Sequence, residues 1–168
     1  MDITTPITEE VAAGLQVGDT VTISGYILCG RDAVLPKVVD MINAGTIGEL
    51  GIDLEGGVMF HTAVSPAGVG PTSSNKPEIE SSIAPLSRAG VRVHLGKGSI
   101  SSETVKALGE EGSVYAVIPP VTALLEAKTC SRRQVAFGEL GMEALYIIEA
   151  DSYPAIIAAA NGESIYER

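Results

Sequence analysis

Apolar positions along this chain recur at two periods, and the two alternate. Thr20 to Leu28 is rich in β-branched and aromatic residues, which predicts a strand after the Val17-Gly18-Asp19 turn. From Ala33 to Asn43, Val34, Leu35, Val38, Val39 and Ile42 keep helical spacing. Asp32 is the predicted cap of that helix, and Pro36 fits only in its first turn. A short helix is predicted from Thr8 through Ala13, and a second strand from Gly57 to Val64. Ser65 to Pro77, rich in Gly, Pro and Ser, is predicted loop. A helix from Glu78 to Ala89 follows, ended by Gly90, with Pro85 expected to kink or split it. Next come a strand from Val91 to Leu95, a tight loop at Gly96-Lys97-Gly98, and a helix from Ser102 to Leu108. Ser102 is the predicted cap of that helix, and Gly109 and Gly112 close it. Ser113 to Ile118 reads as a strand and Thr122 to Lys128 as a helix. Strands from Leu145 to Ala150 and from Ala155 to Ala160 precede the Asn161-Gly162 turn; no element is predicted over 129–144.

Strands alternating with helices predict an α/β fold, its sheet mixed with a parallel component, and the β-rich first third suggests a second sheet or a barrel-like layer. No repeat or linker interrupts the 168 residues, so a single domain over 1–168 is expected. With 45% hydrophobic and 19% charged residues the chain can bury a core, but aromatics are only 4%, so Ala, Val, Ile and Gly must do most of the packing. A net charge of −10 disfavours nucleic acid as a partner. No run of about 18 apolar residues predicts a membrane span. The acidic stretch Met1–Glu10 does not resemble a signal peptide, and a cytoplasmic location is expected. Cys29 and Cys130 have neither metal-ligand spacing nor a disulfide framework, so no metal is expected on this chain.

Three segments carry candidate chemistry. Arg31-Asp32 follows a predicted strand, where α/β proteins place ligand groups, and arginine presents a planar fork that matches a carboxylate; a capping Asp beside a surface Arg is the plainer account. Gly68 to Lys76 gathers small residues, the hydroxyls Thr72, Ser73 and Ser74, and Lys76, a set that can bind or deprotonate a small oxyacid, or be an ordinary loop. Gly96-Lys97-Gly98-Ser99 offers backbone amides and a cation to an anion, without P-loop spacing. His61 and His94 sit within predicted strands; His94 reads as a satisfied core residue and His61 is open. Cys29 reads as buried and inert, Cys130 as a lone surface thiol near Arg132 and Arg133.

In their joint order, Leu15 to Val21, Ile23 to Ile27, Arg31-Asp32-Ala33, Gly70-Pro71-Thr72-Ser73, Leu95 to Gly98, Leu140 to Ala144, Tyr153-Pro154, Asn161-Gly162 and Ser164-Ile165-Tyr166 resemble the β subunit, or C-terminal domain, of class I fumarases and L(+)-tartrate dehydratases. The resemblance implies a swivelling β/β/α domain. It also implies an oxygen-sensitive 4Fe–4S cluster held by a separate α subunit, where an iron acts as Lewis acid. The activity implied is reversible dehydration of a hydroxydicarboxylic acid by a hydro-lyase subunit active only with that partner. A hetero-oligomer follows, with a homodimer open to the isolated chain. Thr72 takes the place of the catalytic-base hydroxyl, and Arg31, Ser73, Lys76 and Lys97 those of substrate-binding groups.

The sequence departs from the family pattern at three places, one of them after His61, which roughly matches a strand His of some relatives but lacks the Gly-Pro that often follows. Val34-Leu35-Pro36-Lys37 stands where Ala-His-Lys-Arg is usual, and Asn75-Lys76-Pro77-Glu78 where Gly-Arg-Met-Asp is usual. Alternatives are therefore a hydro-lyase for a different hydroxy acid, a non-catalytic or regulatory anion-binding relative, and a stand-alone anion-binding domain.

Overall fold

The computed structural model describes the chain except residues 31–32, 63, 66–67, 70–75, 97–99, 119–124, 126 and 166–168, with the backbone alone at 64–65, 68–69, 76–79 and 142–143. In chain order the described elements are β1 (Asp2–Thr4), α1 (Glu9–Gly14), β2 (Thr20–Gly30), α2 (Leu35–Ala44), a 3-10 turn (Ile47–Leu50), β3 (Val58–His61), the short strands β4 (Val64–Ser65) and β5 (Gly68–Val69), α3 (Lys76–Arg88), β6 (Val93–Gly96), α4 (Ser102–Glu111), β7 (Val114–Val117), β8 (Thr129–Ala136), a 3-10 segment (Gly138–Glu143), β9 (Leu145–Ala160) and β10 (Glu163–Ser164).

β2, β3, β6 and β7 lie side by side in parallel, and antiparallel β9 pairs with both β7 and β2, so these five strands close into a ring. The fold is α/β with a mixed sheet. β9 joins both ends because it is 16 residues long: Tyr146–Ala150 and Tyr153–Ile156 pair with β2, and Ile156–Ala159 with β7.

The two strands predicted at 145–150 and 155–160 are therefore one. Asp151 to Pro154 has the composition of a turn, but each conflict is resolved locally. Ser152 adopts φ 58° and its N–H donates to Ser24 Oγ at 2.9 Å. Across from it Gly25 takes φ +106° with Thr5 against its α-carbon, a conformation and a space that only glycine accepts. Pro154 faces Thr22, whose own N–H goes to Met1 O at 2.9 Å, so the missing proline N–H leaves no gap in the ladder.

Alternate residues point into the ring. Ile23, Ile27, Phe60, Leu95, Ala116 and Ile148 are all 0% exposed there. Each large side chain among them stabilises the fold by about 1.5–3 kcal/mol through burial. Outside the ring, α2 packs Leu35 and Val38 against Leu28 and Met59, and α3 and α4 pack Ile83 and Leu108 against Tyr115 and Ala158.

Several boundaries differ from the sequence pattern for identifiable reasons. Val34, without a side-chain bond, is the N-cap of α2, and Asp32, the residue predicted there, lies outside the described residues. Ser101 rather than Ser102 caps α4, its hydroxyl accepting the Thr104 N–H at 3.3 Å. α4 runs through Gly109, where a Cβ would lie 2.8 Å from Gly162 N, and stops at Gly112. α3 is assigned as one helix through Pro85, giving up the backbone bond that this residue cannot donate. Thr8, predicted as the first helical residue, is instead the N-cap of α1, accepting from Val11 N at 3.2 Å. The predicted helix 122–128 lies largely outside the described residues. Among the described residues no helix is long and apolar enough to cross a membrane.

Candidate active site

Parallel neighbours bring their C-terminal ends to one edge. Gly30 faces His61 in the β2–β3 register and Phe60 faces Leu95 in the β3–β6 register, so Gly30, His61 and Gly96 stand side by side. With strands about 4.8 Å apart, the chain leaves this edge at three points within about 10 Å, toward Arg31, Thr62 and Lys97. Such edges are where α/β sheets hold ligands. Arg31, Thr72, Ser73 and Lys97 themselves lie outside the described residues. Lys76 is the first residue of α3, described by its backbone. The edge is tightly built: a Cβ on Gly96 would lie 2.9 Å from Tyr115 Oη, and one on Gly30 would lie 2.8 Å from Val34 Cγ1.

Beneath α3 the strand ends carry polar groups instead of apolar ones. His61 and His94 project from the outer face of β3 and β6, at 3% and 0% exposure. His61 Nε2 lies 3.1 Å from His94 Nδ1, and His94 Nε2 lies 2.9 Å from Ser87 Oγ on α3. The two rings stack with centroids 5.3 Å apart at 28°. Burial, and secondarily the neighbouring His61, hold His94 well below the ordinary imidazole range, so it is neutral. Also from α3, the Glu80 carboxylate accepts the Ser101 N–H at 2.5 Å and the Thr104 hydroxyl at 2.8 Å, binding the start of α4. Sequence reasoning did not bring the two histidines together, because 33 residues separate them. The available signal was alternation: each follows an inward-pointing residue on adjacent strands, which puts both under the same helix.

Elsewhere a cleft of about 760 Å³ opens beside the start of β3, lined by Tyr26, Leu28, Ile52, Asp53, Arg133 and Ile147 among others. Cys29 faces the ring interior, where burial raises its thiol far above the ordinary range and leaves it inert, and Cys130 is exposed on β8. Among the described residues no three His, Cys, Asp or Glu converge to hold a metal ion.

The family described as fumarase C-terminus matches residues 1–168. The chain belongs to this family. An anaerobic class I fumarate hydratase of Escherichia coli strain K12 is 30% identical over 94% of this chain and 30% of its own length. The aerobic class I fumarate hydratase of the same strain is 26% identical over 94% of the chain and 30% of its length. The L(+)-tartrate dehydratase subunit beta of that strain is 24% identical over 94% of the chain and 81% of its length. The chain thus spans about 30% of the length of these fumarate hydratases. Both activities named add or remove water, and hydro-lyases are the setting in which this family occurs.

Against the fumarase C-terminus pattern, Leu35 is the departure that the fold explains. Where the family usually has His, Leu35 is 1% exposed among Leu28, Val38 and Met59, a core residue with nothing to offer a ligand. The histidines beneath α3 belong to other strands and do not restore that position.

The depressed His94 fixes the sign of an acid effect. Its ordinary value is 6.5 and its folded value lies lower, so below 6.5 the unfolded chain binds the proton more readily. The contribution of neutral His94 is fully present above 6.5 and is lost as pH falls from there toward the folded value. Urea unfolding at a series of pH values below neutrality should show stability falling by up to about 1.4 kcal/mol per pH unit for this one group. His94→Gln should flatten that part of the slope.

Proposed function

We propose that this chain is the carboxylate-gripping part of a 4Fe–4S hydro-lyase that reversibly dehydrates a hydroxydicarboxylic acid, of the fumarate hydratase or tartrate dehydratase type. The observation that carries the reading is the common level of Gly30, His61 and Gly96, from which the segments bearing Arg31, Thr72 and Lys97 leave one edge. In this reading Arg31 presents its fork to one carboxylate and Lys97 a point charge to the other. Ser73 and Lys76 add substrate contacts, and the Thr72 hydroxyl serves as base. A neutral alcohol does this only when a neighbour takes its proton.

The described thiols, one inside the ring and one on exposed β8, do not make a cluster site. The cluster in this reading belongs to a separate α subunit, over which residues 1–168 close as one swivelling β/β/α domain. The assembly is a cytoplasmic hetero-oligomer, and the isolated chain is free to dimerise.

Buried Leu35 favours a second reading, a relative that kept the fold and binds an anion without catalysis. Anaerobic mixing of the chain with a cluster-bearing partner chain separates the two. The chain alone should carry neither iron nor sulfide and turn over nothing, while the pair should dehydrate a hydroxydicarboxylate. Stoichiometric iron and sulfide in the isolated chain would sink the first reading, and an inactive pair would favour the second.

A further inference from the structure

We infer that His61, His94 and Ser87 form a positioning unit that sets where segments 62–75 and 97–99 begin, by fastening the ends of β3 and β6 to α3. For what those segments bind, the inference rests on the function proposed above.

Four ties support it. Residue 62 follows His61 directly, and α3 itself begins at Lys76, where the first segment ends. The second segment starts after Gly96, two residues beyond His94, and the chain is caught again at Ser101 by Glu80 of α3. Each end of both segments is therefore held by α3 or by a strand end bonded to it. The ring register sets the spacing between the strand ends, and the helix adds a second hold on the same two ends.

The chemistry of the unit favours orientation over stability. Two leucines would fill this layer without the cost of burying polar groups, which is recovered only through well-formed hydrogen bonds. The contacts at 3.1 and 2.9 Å each need one hydrogen, so the protons run in a single direction along the chain of groups. When Ser87 donates to His94 Nε2, His94 Nδ1–H donates to His61 Nε2; the reverse order is equally complete. In either order His94 cannot turn without breaking two bonds. Burial, and secondarily the neighbouring His61, lower the proton affinity of His94 and keep that ring neutral.

The test uses the full chain alone and with its cluster-bearing partner. In the chain alone, His61→Leu and His94→Leu should speed amide exchange at Thr62 and Gly96 by about tenfold or more, with Ile27 and Ile148 in the ring unchanged. In the pair, the same variants should raise KM for the diacid about tenfold while kcat moves by less than about threefold. His61→Gln, whose amide nitrogen can stand where Nε2 stands, should return KM to within about threefold of the parent. Should the leucine variants fail to fold, His61→Gln and Ser87→Ala carry the measurement. Unchanged exchange at Thr62 and Gly96, exchange faster equally in the ring, or no rescue by glutamine would overturn the positioning role. An inactive wild-type pair with the local exchange pattern intact would count against the hydro-lyase reading and leave the positioning unit standing.

Discussion

Replacing Arg31 with alanine in the proposed assembly is expected to lower kcat/KM for the diacid by about 30- to 1,000-fold. Truncating one partner of a desolvated charge pair costs about 2–4 kcal/mol, because the remaining carboxylate is left without its counter-ion, and each 1.36 kcal/mol is tenfold in rate. The residue before it, Gly30, is fixed by pairing with His61 of β3 and by close packing on Val34, so the strand end from which Arg31 leaves is well defined. Arg31→Lys should recover little, since a point charge does not reproduce a two-pronged grip. Steady-state kinetics on the reconstituted pair decide the matter, and unaltered turnover in Arg31→Ala would place the chain among non-catalytic relatives.

The second large effect is on stability. Phe60→Ala should cost about 3–5 kcal/mol, the range for removing a buried phenylalanine and leaving its space. Phe60 is 0% exposed at the centre of the ring, between Cys29 of β2 and Leu95 of β6 in register. Against a total stability of about 5–15 kcal/mol, that loss takes a large share. Urea unfolding measures it directly. A loss below about 1 kcal/mol would mean that the ring interior is not packed as described.

Much of this architecture is legible in the sequence where local chemistry and tertiary packing agree. Thr8 reads as a helix start because its hydroxyl serves the same local N–H in any context, and Val34, Leu35 and Val38 read as one helical face because one layer covers them. β8 is not legible. Its exposed residues Cys130 to Gln134 have no buried face, so no period-2 pattern exists, and only its partner β9 makes it a strand. β9 itself reads as two strands because Ser152 and Pro154 look like a turn, until Ser24 accepts the Ser152 N–H and the Thr22 N–H turns away to Met1, leaving Pro154 no bond to make there. For the site, motif order pointed to Arg31, Thr72 and Lys97, yet the polar layer beneath α3 depends on parallel strand neighbours, which no linear pattern specifies.

Closure of the ring also bears on how the molecule is made. The seam between β2 and β9 joins residues 128 positions apart, as at Ser24 and Ser152, and no stretch between them completes the interior on its own. Loop closure must be met before those contacts repay it, so refolding should be slow, on a scale of milliseconds to seconds. During synthesis the half-built sheet waits on the ribosome with its apolar face uncovered, a natural client for chaperones until the last strand arrives.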